Sequence, residues 1–400
     1  MLLSPWRTDF PALAVLEAQG QTYLDSAATA QKPQALIDAL CGYYVSGAAN
    51  VHRAQHLTAE RATRAFEGTR ERLATWLGAA APDEIILTRG ATEALNLLAY
   101  GLEHLIERDD ELVVSALEHH ANLLPWQQLA LRRGARLVVL PLDTSGCIDL
   151  SAAARLIGPR TRVLAVSQLS NVLGTWQPLD RLLPLASAQG ALTVVDGAQG
   201  VVHGRSDLAA LACDFYVLSS HKLYGPEGVG VLYGRRSALA RLRHWQFGGE
   251  MVREADFQTA VFHPAPLGFE AGTPPIAGVI ALGATLDYLQ TMDRSAMLSH
   301  EQALHRRLLQ ELSAREGVRL LGTPQAALAS FTVEGVHHAD LAHLLVEQGI
   351  AVRSGTHCAM PLFRQLGTAG AIRLSLGLYN DGNDLDRAFD ALDRALEILL

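Results

Sequence analysis

Cysteine is scarce, with four in 400 residues at positions 41, 147, 213 and 358 and no CxxC pair. That spacing supports neither a disulfide framework nor a thiolate zinc site, and it leaves free thiols in a reducing compartment. A basic excess is also lacking. The chain carries 33 Lys and Arg against 41 Asp and Glu, a net charge of −8, without the basic stripe of a phosphate-backbone binder. This argues against a nucleic-acid partner. Long apolar runs are missing as well: the charge-free stretches 163–179 and 271–286 are interrupted by Ser, Asn, Gln, Thr or Pro, so no membrane span is expected. The opening MLLSPWRTDFPAL has no basic start, apolar stretch and small-residue cleavage site in series, and a cytoplasmic location is expected. Neither GxGxxG nor GxxxxGK[ST] occurs, which removes support for a dinucleotide fingerprint or a nucleotide P-loop. The pairs His119-His120 and His337-His338 do not have metal-ligand spacing, and no metal is expected.

What is present is enough hydrophobic residue, 49% of the chain, to bury a sizeable core, and a length that suggests two to three domains at roughly 150 residues each. Between positions 84 and 234, seven apolar β-rich runs alternate with helical segments: EIILT, ELVVS, RLVVLPL, RVLAVSQ, LTVVDG, FYVLSS and VGVLYG. Continuously apolar strands are buried on both faces, so this region predicts a mostly parallel seven-stranded sheet between helices. Stretches 121–133 and 180–189 read as crossover helices. After the Pro- and Gly-rich 263–275, one helical run over 276–312 is expected. Strands near 330, 352 and 374, a helix over 340–348 and a terminal amphipathic helix from 384 follow. The fold class is therefore α/β, with a large domain over 22–290 and a smaller α+β domain built from 1–21 with 291–400. Cys41 and Cys213 lie in apolar contexts and are expected to be buried fillers.

Polar residues bunch where strands end, the place where open α/β sheets bind ligands. Thr88 to Glu93 leaves a strand and opens a helix, so free N–H groups, a helix dipole and the Thr92 hydroxyl suit a phosphate. Asp196 ends an apolar strand, where a carboxylate needs a cationic partner. Lys222 follows the next strand, beside Ser219 and His221; a lysine in a dry pocket has a lowered pKa and serves as a Schiff-base nucleophile. An anchor for phosphate, a counter-ion for a ring nitrogen and an amine for an aldehyde are together what pyridoxal 5′-phosphate requires.

With these residues in view, the chain resembles the class V aminotransferases, fold-type I enzymes that use pyridoxal 5′-phosphate, and within them group II cysteine desulfurases of the SufS and CsdA kind. The stretches that carry the resemblance are YLDSAATAQKP (23–33), NVHR (50–53), TRGATEALNLLA (88–99), EHHANLLPW (118–126), SNVLGT (170–175), VDGAQG (195–200), SHKLYGPEGVGVLYG (220–234), FEAGTPP (269–275), RSGTHCAMP (353–361) and IRLSLGLYN (372–380). The resemblance implies that Lys222 joins the cofactor aldehyde, that Asp196 keeps the ring nitrogen protonated, and that His120 stacks on the ring. It implies that Gln199 hydrogen-bonds the phenolic oxygen. The phosphate would be held by Thr92, Ser219 and His221 with the backbone of Ala91, and by Thr273 from a neighbouring subunit, which makes a homodimer part of the site. Arg373 would bind the substrate carboxylate, with Asn171 assisting near cofactor and substrate. Ala91 stands where many relatives carry a second Thr, Ser220 where Gly is common, and Leu374 where Ala is frequent; FGGEM (247–251) has two glycines where three are usual.

Cys358, flanked by Arg353 and His357 in a short RxGxxC loop, has a positive setting that would favour its thiolate. The resemblance makes it the nucleophile that takes sulfur from L-cysteine as a persulfide, with release of L-alanine. Selenocysteine or cysteine sulfinate would engage the same residues, and another activity of the aminotransferase type remains open on the same scaffold. A SufE-like or CsdE-like protein is the implied sulfur acceptor, in iron–sulfur cluster assembly or another pathway.

Overall fold

The computed structural model describes residues 2–53, 55–204 and 207–400. Seven strands form its largest sheet: β1 (Ile85–Thr88), β2 (Glu111–Ser115), β3 (Arg136–Leu140), β4 (Thr161–Ser167), β5 (Leu192–Asp196), β6 (Phe215–Ser219) and β7 (Gly230–Gly234). Each falls on one of the seven apolar runs. Their order in the sheet is β1-β7-β6-β5-β4-β2-β3. Only β7 runs antiparallel to its neighbours; the other pairings are parallel. Every residue of β1, β5, β6 and β7 is buried, as strands covered on both faces require. One apolar core lies on each face of this sheet.

The register brings the chemistry to one edge. Ser167 pairs with Asp196 across β4 and β5, while Gly230 pairs with both Ser219 and Thr88. The carboxyl ends of four strands thus open toward a common space. Gly230 is required there: a Cβ would stand 2.3 Å from Gly90 Cα, so only glycine lets the turn into the helix Ala91–Gly101 cross β7.

The second sheet is antiparallel, in the order Val318–Leu320, Leu328–Val333, Ala371–Ser375, Arg353–Gly355. It is packed by the helices Arg294–Ser313, His338–Glu347 and Gly382–Leu399 through their buried leucines, Phe331 and Phe389. The helical run expected over 276–312 is two helices, Ile276–Thr291 and Arg294–Ser313. Asp293 caps the second by accepting from the Ser295 and Ala296 N–H groups, which restarts the helix in a new direction. The N-terminal segment divides between the cores: Phe10 and Leu13 join a core of the large sheet, while Leu24 belongs to that of the small one. Phe10 packs on Tyr224 and Tyr379 with ring centroids 5.6 and 5.0 Å apart.

Cys213 is buried as expected, but Cys41 is exposed. Its helix, Gln34–Val45, buries only Leu36 among its residues, so an apolar sequence context there marks a surface face. No helix of the described residues is long and apolar enough to cross a membrane.

Candidate active site

Above the strand ends lies a cavity of about 270 Å³ lined by Asp196, Ser219, Lys222, Gln199, Asn171, Arg373 and Cys358, together with Ala91, Thr92, His119, His221, Ser167 and Arg353. The topology explains the convergence. Asp196 closes β5, Lys222 ends a single turn that follows β6, and Arg373 stands in the middle of a small-sheet strand with all five residues buried. Cys358 comes from the turn between that sheet's edge strand and the helix Met360–Leu366.

The two central charges are buried and poised against one another. Burial pushes the Asp196 carboxyl up, opposed by Lys222 and by the Ala198 N–H, which donates to Asp196 Oδ1 at 3.0 Å. Burial likewise pulls the Lys222 ammonium down, with Asp196 opposing it and Arg373 adding to it. A lysine in this state gives up its proton readily and becomes nucleophilic. A buried carboxylate beside it asks for a further cation, and the protonated nitrogen of a pyridine ring is such a group.

Arg373 is held from two sides. Its Nη1 donates to the Asn171 carbonyl at 3.0 Å and its Nη2 to Asp25 Oδ1 at 3.1 Å. Its Nε is buried without a partner, an orphan donor that a bound carboxylate would satisfy. Asn171 Nδ2 donates to the His357 carbonyl at 2.9 Å, and Gln199 Nε2 to the Ala27 carbonyl at 2.8 Å. At the opposite end, the Ala91 N–H, expected to face a phosphate, donates to Ser219 Oγ at 2.9 Å; the Ser219 hydroxyl hydrogen stays available. Thr92 and His221 line the same end, and His221 is pulled down to about 4 by burial, Lys222 and Lys32, so it is neutral near pH 7. A phosphate there would be held by neutral donors and the start of an eleven-residue helix.

Three expectations are corrected. His119, not His120, lines the cavity. His119 Nδ1 accepts from the Ala121 N–H at 3.0 Å and so caps the helix His120–Arg133. Burial, Lys222, His120 and Arg373 bring its pKa down to about 3. The position over a ring therefore falls to neutral His119, while the His120 side chain turns toward Met360, whose N–H donates to its Nε2 at 3.2 Å. Second, His357 gives Cys358 no cationic flank, because burial with Arg373 and Arg353 nearby lowers it to about 3. Third, Arg353 does not act on Cys358 as a free charge: its Nη1 lies 3.6 Å from Asp25 Oδ2. Thr273 is exposed and is not among the residues lining this chain's cavity.

Asp25 was missed in the sequence. It sits in YLDSAATA, and a lone carboxylate among apolar and small residues is a signal for a buried cation. Glu118 was missed as well. Fully buried beneath His119, it accepts from the Ser167 N–H at 3.0 Å, from Ser167 Oγ at 2.6 Å, from Asn122 Nδ2 at 2.7 Å and from Ser115 Oγ. These bonds tie β2, β4 and the helix His120–Arg133 together under the cavity.

The residues fit pyridoxal 5′-phosphate: a buried amine, a buried carboxylate at depth, an aromatic face at His119, and a phosphate end at Ala91, Thr92, Ser219 and His221. Comparison with known proteins agrees. The aminotransferase class-V family model matches residues 22–388. A probable cysteine desulfurase of Pseudomonas putida is 70% identical over 396 residues, 99% of each chain. The cysteine desulfurase CsdA of Escherichia coli is 43% identical over 397 residues, 99% of this chain and 98% of that one. The crystal structure of the Escherichia coli CsdA S-sulfonic acid form superposes with a TM-score of 0.93 at 42% identity, covering 99% of this chain and 98% of that one. With a family match over nearly its whole length and relatives this similar, the chain belongs to the class V aminotransferase family, among its cysteine desulfurases.

Proposed function

We propose that the chain removes sulfur from L-cysteine, using pyridoxal 5′-phosphate, to give L-alanine and a persulfide on Cys358. The observation that carries this reading is that Cys358 shares one cavity with Lys222 and Arg373. An enzyme that only moved amino groups would have no use for a thiol there.

When bound, pyridoxal 5′-phosphate supplies an aldehyde for the substrate's amino group and a sink for electrons from its Cα. The Asp196 carboxylate would keep the ring nitrogen protonated, and His119, which lines the same cavity, would lie against the ring. Arg373 takes the substrate carboxylate on its unpartnered Nε edge, which turns the thiol-bearing carbon toward Cys358. Lys222 Nζ, whose hold on its own proton is loosened by burial, removes the proton from Cα. Positioned proton transfer of this kind is worth about 10²- to 10⁴-fold. The Cys358 thiolate then attacks the substrate sulfur. An S–S bond forms, the Cβ–S bond breaks with its electron pair left on carbon, and alanine is complete once Cβ has taken up a proton and one has returned to Cα from Lys222.

Thr273 is exposed and does not line this chain's cavity, which supports a homodimer in which it completes the phosphate site of the other subunit. Four free cysteines support a reducing, cytoplasmic setting. The persulfide then passes to a SufE-like or CsdE-like acceptor and on toward iron–sulfur cluster assembly. The test is mass spectrometry of the Cys358 peptide after addition of L-cysteine to the holoenzyme. One added sulfur is expected, together with loss of alanine formation in Cys358→Ala. A Cys358→Ala enzyme that forms alanine at the parent rate overturns the reading.

A further inference from the structure

We infer that His120 is a positioning residue that clamps the Cys358 turn over the cavity, an inference that rests on the desulfurase reading above. The turn is an unfavourable one. His357 has φ +48 and Cys358 φ +57, two successive side-chain-bearing residues in the left-handed region. Such residues are strained and persist only where surroundings over-determine them.

Three bonds do so here. The His357 carbonyl accepts from Asn171 Nδ2 at 2.9 Å. The Cys358 carbonyl accepts from the backbone N–H of His120 at 2.7 Å, a first-turn helix donor that has no acceptor within its own helix. Two residues on, the Met360 N–H donates to His120 Nε2 at 3.2 Å. His120 thus grips the segment on both sides of the thiol-bearing residue, as donor through its backbone and as acceptor through its ring. The helix it begins is itself anchored by Glu118 and by the His119 cap. The placement of Cys358 relative to Lys222 and Arg373 is therefore set from the floor of the cavity.

Substitution of His120 removes only the ring's bond, because the backbone N–H remains, so the turn loosens without the fold being lost. The experiment follows iodoacetamide alkylation of Cys358 in the holoenzyme, beside kcat and KM for alanine formation. His120→Ala is expected to raise the alkylation rate and lower kcat, each by about three- to tenfold, the factor that one hydrogen bond carries, with KM for L-cysteine unchanged. His120→Gln, whose side-chain carbonyl reaches the Met360 N–H, restores both, whereas His120→Asn is too short and behaves as His120→Ala. A helix-start histidine of merely structural importance would not separate Gln from Asn. Parent-like alkylation and kcat in both His120→Ala and His120→Asn overturn the inference. So does loss of cofactor absorbance in these variants, which would return His120 to the ring. Alkylation reports on the turn whether or not the chain desulfurates cysteine, so a failure of the proposed function, seen in Cys358→Ala, is told apart from a failure of the clamp.

Discussion

Arg373 and Asp25 form an ion pair, Nη2 to Oδ1 at 3.1 Å, across 348 positions of sequence. The pair does two things at once. It neutralises a guanidinium that is 3% exposed, and together with the Asn171 carbonyl it fixes the plane of a fork that lines the cavity. Asp25 also lies 3.6 Å from Arg353, so one carboxylate steadies both cations of the cavity's small-sheet side.

Arg373→Lys should therefore raise KM for L-cysteine by about 10- to 100-fold, the range that charge-assisted hydrogen bonds carry, with cofactor content unchanged. An ammonium cannot serve the Asn171 carbonyl, Asp25 and a substrate carboxylate together. Asp25→Ala should raise KM by a smaller factor, because the fork remains but loses its lateral hold. Steady-state kinetics on the holoenzyme check both, and a parent-like KM in Arg373→Lys would remove Arg373 from substrate binding.

The two adjacent histidines give a second contrast. His119→Ala should weaken retention of pyridoxal 5′-phosphate by about two- to tenfold, the worth of one aromatic stacking contact, and shift the visible absorption band. His120→Ala should leave both as in the parent. Titration of the apoprotein with the cofactor, followed by absorbance, distinguishes them; equal effects from the two variants would contradict the assignment of the ring face to His119.

Much of this site was legible from strand ends, and the limits of that reading are physical. The seven runs of the large sheet are apolar over their whole length because both faces are covered, so hydrophobic pattern alone locates β1 to β7. Asp196 and Lys222 then stand out as charges that such strands do not carry without cause. His119 and His120 cannot be separated in that way. They are neighbours at a helix start, and successive helical positions point about 100° apart, so the choice depends on the cap that His119 makes. Asp25, which only bridges to Ser375 outside any strand, and Arg373, on the strand Ala371–Ser375, are brought together by tertiary packing, and nothing local to either residue names its partner. The role of His357 turned on burial: a histidine next to a cysteine reads as a positive flank, yet a dry site beside two arginines leaves it neutral.

Those neutral histidines set how the apoprotein responds to acid. His119, His221 and His357 are brought from 6.5 to about 3, 4 and 3, so between these values the unfolded chain binds protons that the folded one refuses. Stability contributed in this way is present above pH 6.5 and is lost as pH falls toward 4. Glu118 acts in the opposite sense: burial raises it from 4.5 to about 7, so its contribution is present below 4.5 and is lost as pH rises through 7. Asp196, also raised by burial, acts in the sense of Glu118, while His104, His305 and His338 are lowered like the other three rings; six lowered histidines outweigh two raised carboxylates between pH 4.5 and 6.5, and unfolding free energy should rise with pH across that window. Urea unfolding at three pH values checks the slope, and a flat or falling profile would count against the neutral, buried state of these rings.

The last prediction concerns Arg70, which is 2% exposed and reaches Glu270 through Nη1 at 2.6 Å and Nη2 at 2.9 Å, Glu67 through Nε at 2.8 Å, and the Ile85 carbonyl at 2.8 Å. Glu270 in turn accepts from the Leu87 N–H at 2.7 Å and is the second residue of the FEAGTPP segment that carries Thr273. Arg70→Ala leaves this carboxylate buried and unpaired, and breaking one side of a buried pair costs about 3–5 kcal/mol. Arg70→Met with Glu270→Leu removes both charges and should recover much of that loss. Denaturant midpoints measure the stability difference. If Glu270 also sets the path of the following loop, the double variant should regain stability while cofactor retention stays below the parent, since Thr273 would be presented from a segment no longer tied to β1 by its carboxylate. Recovery of both together would show that the ion pair matters for folding alone.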